Sequence, residues 1–427
     1  MTLIRTVAPA IAELSSDLSV HPEVLITPSG ARLHVFQNSV QPVIRIEFVF
    51  KGGKWYQPFP GVASLTAKML KEGTLHHSAK QIADITDFYG ASLEVSHGFD
   101  RTTVTLYCLS KFLPDLLPLT FEIIEQPSFP QEEFDLLKQR IIQSLAVDKQ
   151  KNSYLSTETF TTAIYGKGHP YATFTSEEEV AAVQKESLAS FHQKAYNYST
   201  AEVFITGDIN NQAFSAILEK LNASSSQTLE EPLIAAKALS PRLIIDPTSN
   251  QMQAAIRVGK SIIKPTHPDY PALYLLNHTL GGYFGSRLMK NIREEKGYTY
   301  GVYSSLSQKE HDSLFSLGTD IKGDKIEETL EEISKELDKL KQEEVTEEEL
   351  TTVKKHLAGK FLSDHATLFD KMDKYKSNVL LRLPADFYTN LLKEIQSLSA
   401  DQLKEAAKNY LSEEDFFKVV TGGTPKG

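Results

Sequence analysis

GVASLTAKMLKEGT, residues 61–74, is the stretch on which the reading of this chain turns. It predicts a helix over about 60–72, with Ser64 and Lys68 one turn apart and therefore on one face. Ala67 lies one step round from Lys68. Whatever chemistry this face carries must come from a hydroxyl, a methyl and an ammonium group. An ammonium has no lone pair and repels a cation, so the face cannot hold a metal ion as two imidazoles or carboxylates would.

Outward from this helix the chain mixes strands and helices, and it does so twice. RLHVFQNS (32–39) and VIRIEFVFKGG (43–53) alternate apolar and polar residues as the two arms of a hairpin would. Helices are predicted near 60–72, 78–89, 110–125 and 131–150, with strand-like ASLEVSHGFDRTTVTLYCLS at 91–110. The second half repeats the order. AAIRVGKSII reads as a strand, 268–281 and 284–295 as helices, and YTYGVYSSLS and SLFSLGTDI as strands. Helix 325–341 carries Ile326, Leu330, Ile333, Leu337 and Leu340 on one stripe, which predicts packing against a sheet.

The two halves also match each other in detail. VFITGDI at 203 and FKVVTGGT at 417 are both strands closing in a Gly turn, roughly 215 residues apart. Each follows a polar helix ending in tyrosine, SLASFHQKAY or ADQLKEAAKNY. FPQEEFDLLKQRIIQSL (129–145) likewise pairs with VTEEELTTVKKHLAGKF (345–361). The fold expected is α+β, two tandem homologous domains, each an antiparallel sheet covered by helices. Residues 1–221 form the first domain and 243–427 the second. NASSSQTLEEPLIAAKALSPR (222–242), poor in periodicity, is the linker.

Composition narrows the function. A net charge of −10 on 427 residues, with no long basic run, argues against nucleic acid as a partner. The single cysteine, Cys108, excludes an intramolecular disulfide and sits in an apolar alternating run as a buried thiol. No apolar stretch is long enough to span a membrane, and the first residues lack the pattern of a signal peptide, so the expected location is cytoplasmic.

The 61–74 stretch resembles the inverted zinc motif H-x-x-E-H of the insulinase, pitrilysin and mitochondrial processing peptidase family. There it occurs as G-x-x-H-x-x-E-H-M-x-x-x-G-T. Gly61, Met69, Gly73 and Thr74 match. Ser64, Ala67 and Lys68 stand at the degenerate positions, where the family has His, Glu and His. The family's third ligand, a glutamate further along, falls here at Gln143 or Ser144. The resemblance covers the chain from about residue 20 to the end and implies a LuxS/processing-peptidase-like metallohydrolase fold. It also implies that no metal is bound by this chain.

LGGYFGSRLMKNIREEKGYTYGVYSS (280–305) resembles the family's second-domain signature. Read from the residues, Gly297 stops the helix of 284–295 in the left-handed region, Arg293 projects from its last turn and Tyr300 from the next strand. A guanidinium can hold a peptide carbonyl, and a phenol can donate to an oxyanion. Dipole complementation by Arg293 and sheet packing by Tyr300 are the plainer roles for the same residues. Gly281 and Gly282 either belong to the substrate-binding stretch or let a helix turn closely against the sheet. By resemblance, Arg293 and Tyr300 point across a chamber at substrate. That implies the non-zinc subunit of a heterodimeric zinc peptidase acting on unfolded peptides. Zn²⁺ would sit in a homologous partner subunit, and a second copy of this chain is the other partner left open. The alternative is a catalytically inactive scaffold or peptide-binding protein on the same fold.

The remaining histidines form no site by spacing. His76 and His77 are adjacent, and Glu94 and His97, three apart on a strand, face opposite ways. No G-x-S-x-G elbow or phosphate loop occurs.

Overall fold

The structure, a computed structural model, describes residues 18–172, 174–224, 230–246, 248 and 251–424. Two sheets carry the fold. The first comprises β1 (Glu23–Ile26), β2 (Arg32–Gln37), β3 (Val43–Phe50), β4 (Ser92–His97), β5 (Thr102–Leu109) and β6 (Glu202–Gly207). The second comprises β7 (Leu243–Asp246), β8 (Gln253–Ser261), β9 (Thr299–Gln308), β10 (Ser313–Lys322) and β11 (Phe417–Gly422).

In space the first sheet runs β1-β2-β6-β3-β5-β4 and the second β7-β11-β8-β10-β9. Apart from β1, the orders are the same, so the internal repeat is topological as well as sequential. The expected hairpin of residues 32–53 does not form. β6 is inserted between its two arms, parallel to β2 and antiparallel to β3. EVFITG is buried along its whole length, and only a central position covers both of its faces. β11 lies between β7 and β8 in the same way, parallel to β7. Each sheet is therefore mixed and not purely antiparallel.

Helices α1 (Val62–Met69), α2 (Ala79–Phe88), α3 (Leu113–Glu125), α4 (Gln131–Asp148), α5 (Asn152–Tyr165), α6 (Glu177–Ala182), α7 (Lys185–Ala195) and α8 (Asn211–Ala223) follow in the first half. The second half adds α9 (Tyr270–Gly281), α10 (Ile326–Gln342), α11 (Glu347–Ser363), α12 (Leu368–Leu380), α13 (Phe387–Ser397) and α14 (Ala400–Tyr410). Strand alternation sends Ile44, Ile46 and Phe48 of β3 inward, where they meet Leu65 and Met69 of α1, Leu117 of α3 and Phe191 of α7. The stripe Ile326, Ile333, Leu337 and Leu340 of α10 is buried in the second core with Ile256, Val258 and Leu317, and Leu330 packs at its edge.

The opposite faces of the two sheets are covered by exchange. α5 of the first half lies on β8 and β11 of the second sheet, with Phe160 seated over Gly259, where a Cβ would come within 3.0 Å of the ring. α12 of the second half lies on the first sheet. There Asp373 takes both ends of the Arg45 guanidinium at 2.9 and 3.1 Å, and the Tyr375 hydroxyl meets His34 Nδ1 at 2.9 Å. His34 also stacks on Phe204 of β6.

The halves are joined a third time by the turn between β9 and β10. Glu310 grips Arg101 through Nε (2.5 Å) and Nη2 (2.8 Å). His311 stacks on Trp55 at 3.8 Å, and its backbone N–H donates to Tyr171 Oη, which itself donates to Asp100. Lys309 extends over the rings of Phe99, Tyr165 and Tyr171.

Both partners of the Arg101–Glu310 pair are largely buried, with 14% and 7% of their side chains exposed. Removing one leaves the other charged and uncompensated, at a cost of about 3–5 kcal/mol. Glu310→Ala should lower stability by that amount in urea denaturation followed through Trp55, the chain's one tryptophan. Lys80→Ala, which breaks the exposed Lys80–Asp84 pair, should change it by less than about 1 kcal/mol. Equal effects from the two substitutions would mean the turn does not lock the halves.

Candidate functional site

Helix α1 keeps the frame that its sequence announces. Gly61 opens it at φ +94°, a conformation that suits glycine, and Val62, Leu65, Thr66 and Met69 are buried beneath it. Past its end Gly73 adopts φ +145°, and Thr74 bonds through its hydroxyl to Glu122. Its outward face is another matter. Ser64 Oγ lies 3.1 Å from His97 Nε2 at the end of β4, Ala67 is fully buried, and Lys68 is exposed.

His97 was not legible as a partner of this helix, because its spacing from Glu94 says only that those two diverge. The structure agrees on that divergence: Glu94 accepts from Ser92 Oγ, away from His97. What brings His97 to Ser64 is the edge position of β4 beside α1. Burial first, and then the ammonium groups of Lys54 and Lys68, push its imidazole down to about 4. Lys54 is brought there by the backbone: its N–H donates to Gly98 O, next to His97. His97 Nδ1 is buried and has no hydrogen-bond partner among the described residues.

These side chains do not fit zinc. A serine hydroxyl tied to an imidazole, a methyl and an ammonium replace two ligands and a base. Gln143 and Ser144 are exposed on α4 and carry no carboxylate. Among the described residues no three His, Cys, Asp or Glu side chains converge as a metal site. His76 and His77 stay in their loop, His77 paired with Glu122 at 3.0 Å. Cys108 is buried on β5, its thiol pushed up to about 11 by burial.

The second constellation differs from expectation in one element. Phe284–Ser286 form a turn, and Met289–Glu295 wind as a π-helix in place of a regular helix over 284–295. The glycines before it force this compact entry. A Cβ on Gly281 would lie 2.6 Å from Ser304 N of β9, and one on Gly282 would lie 2.6 Å from His278 Cα. Both are placed for close packing. Gly297 sits at φ +65°, as the left-handed stop requires.

Arg293 lies with its guanidinium 4.5 Å over the exposed Phe284 ring, and Tyr300 stands 98% exposed at the start of β9. Tyr300 and Tyr303 overlook a concave region of about 1020 Å³, floored by Gly318 and by Arg257, which pairs with Asp320 at 3.2 Å. Arg293 is outside that lining, so the structure presents both residues on one surface segment without bringing them into contact. Tyr300 Oη makes no hydrogen bond among the described residues.

Family comparison meets this geometry at both constellations. Residues 35–173 match the family model described as insulinase (peptidase family M16), and 182–357 match the one described as peptidase M16 inactive domain. The chain belongs to the insulinase family. This insulinase-family chain is 24% identical over 395 residues to a Helicobacter pylori protein named non-peptidase homolog YmxG, covering 90% of each. It is 21% identical to an uncharacterized zinc protease YmxG of Bacillus subtilis, covering 84% of this chain and 88% of that one. Among solved structures, a peptidase M16 inactive domain from Pseudomonas fluorescens aligns with a TM-score of 0.83 at 25% identity, over 95% of this chain and 99% of that chain. A protease from Helicobacter pylori aligns at 0.84 with 19% identity, over 94% and 100%.

Two measurements bear on this site. Protein equilibrated with excess Zn²⁺ and desalted should carry well under one ion per chain, and a chelator should leave its Tm unchanged; stoichiometric retained zinc would contradict the misfit. His97 should titrate by NMR near pH 4. Because the folded state keeps His97 neutral where the unfolded chain protonates it, stability is full above the ordinary value of 6.5 and falls as pH drops towards 4. His97→Gln should flatten that acid-side slope, and a His97 midpoint near 6.5 would show the imidazole to be solvated.

Proposed function

We propose that this insulinase-family chain is catalytically silent by itself and serves as a peptide-holding wall on a peptidase fold. One observation carries the reading. The helix at the zinc position is folded and packed, yet its outward face offers Ser64 and Lys68 and no base at Ala67. The names of relatives as a non-peptidase homologue and an inactive domain support it.

The role open to Arg293 and Tyr300 is recognition. To reach a peptide carbonyl, Arg293 leaves the Phe284 ring, a cation–π contact of about 0.5–1 kcal/mol, and a loose pairing with Glu294 at 4.0 Å. Tyr300 already offers a free phenol. A half-buried guanidinium and an exposed phenol near a concave surface suit a ligand that arrives from outside the chain. In the fuller form of this proposal, a zinc-bearing homologous subunit faces this surface and performs the hydrolysis. Arg293 would then hold the substrate and Tyr300 would donate to the oxygen that gains charge. No helix among the described residues is long and apolar enough to cross a membrane.

The chain should be mixed with a zinc-bearing homologue from the same genome and tested on unstructured peptides. In the two-subunit reading the mixture cleaves, the chain alone does not, and Arg293→Ala or Tyr300→Phe lowers kcat/KM by about 10²-fold. Cleavage indifferent to both substitutions removes these residues from the mechanism. Peptide binding without cleavage in any mixture leaves the silent peptide-binding wall as the function.

A further inference from the structure

The misfit to zinc has a positive content. In the place where a cation would be held, this chain assembles cations of its own. Ser64 and Lys68 share the outward face of α1, and His97 closes on Ser64 from the end of β4. Lys54 comes from the 3-10 turn Lys54–Tyr56, its chain pinned beside His97 by the bond to Gly98 O and its ammonium over the Phe99 ring. Lys71, one turn beyond Lys68, donates to Leu93 O of β4 and adds to the same positive stripe. Glu94, on the same strand as His97, accepts from Ser92, and Asp100, three residues beyond His97, accepts from Tyr171. Lys68 itself has no ion pair among the described residues. A cation in the last turn of α1 would complement the helix dipole by itself, but that does not account for Lys54 and His97 beside it.

The proton placement adds a donor. A proton on His97 Nδ1 would be a buried N–H without an acceptor, so the imidazole proton belongs on Nε2, pointing at Ser64 Oγ. Ser64 then accepts from His97, and its own hydroxyl hydrogen is free for a third group.

We propose that Ser64 and Lys68, with His97 holding Ser64 and Lys54 adding to the positive charge beside it, form a carboxylate-binding site, and that the peptides held by this chain are acidic ones anchored there. The inference rests on the peptide-binding reading above and deepens it. The anion is a carboxylate because that is the anion an unmodified peptide carries, on an Asp or Glu side chain or at its C-terminus. Lysines recognise it as point charges, which suits a single carboxylate reached from different directions.

Fluorescence anisotropy with the full chain tests this. Four labelled peptides of one sequence are used, with either Glu or Gln at the acidic positions and either a free or an amidated C-terminus. Peptides bearing the anchoring carboxylate should bind about tenfold more tightly than the Gln, amidated peptide. The Glu and free-terminus arms show which carboxylate is used. Lys68→Gln alters an exposed residue and should reduce the preference to less than about twofold, with the neutral peptide unaffected. If all four peptides bind alike, or the preference survives Lys68→Gln, the carboxylate site is wrong while the peptide-binding wall stands. If none binds, both fall.

Discussion

The one constraint on which the rest depends is that neither sheet is covered on both faces by its own half of the chain. A sheet face left bare would expose Phe204 on one side and Gly259 with its neighbours on the other. α12 and α5 are exchanged to cover them. Once this exchange is made, the halves cannot separate without uncovering a core. The Glu310–His311 turn then fixes their relative setting through charges and rings already shut away from water. The surfaces that carry Ser64 and Lys68 in one half and Arg293 and Tyr300 in the other are therefore held on a fixed frame. Their polar groups can be few because the frame does the positioning.

Much of this was legible in the sequence, and the failures have specific causes. Helical spacing located α1, α4 and α10, and the paired strand-and-turn runs VFITGDI and FKVVTGGT revealed the repeat. The hairpin between 32 and 53 was misread because alternation reports which face a strand buries and not which strand it pairs with. The signal that could have corrected it was in β6 itself, whose unbroken run of buried residues asks for a central place in the sheet. The exchange of α5 and α12 had no local signature, since an amphipathic helix looks the same whichever sheet it covers.

The site divides the same way. Ser64, Ala67, Lys68, Tyr300 and Gly297 sit where their sequence placed them, whereas Arg293 lies on a π-helix in place of the expected regular one. Gly281 and Gly282 proved to be close-packing positions, and the segment after them winds as a π-helix, which residue spacing cannot announce. His97 and Lys54 were missed because each reaches α1 from a different element, through strand order and a backbone bond.

The architecture of α1 explains how a helix can lose its ligands and keep its fold. Its buried residues Val62, Ala63, Leu65 and Met69 pack into the first core, and Ser64 and Lys68 face the other way. Ala67 is the exception: fully buried, it is the size that its surroundings allow without a polar partner, whereas a carboxylate there would need one. Lys68 stands outside the core, and Ser64 reaches it only through its contact with His97. With hydroxyl and ammonium groups there, and His97 holding Ser64 in place, the sign of the preferred ligand is reversed from cation to anion. On the carboxylate-site proposal, the same face keeps its shape while its ligand changes.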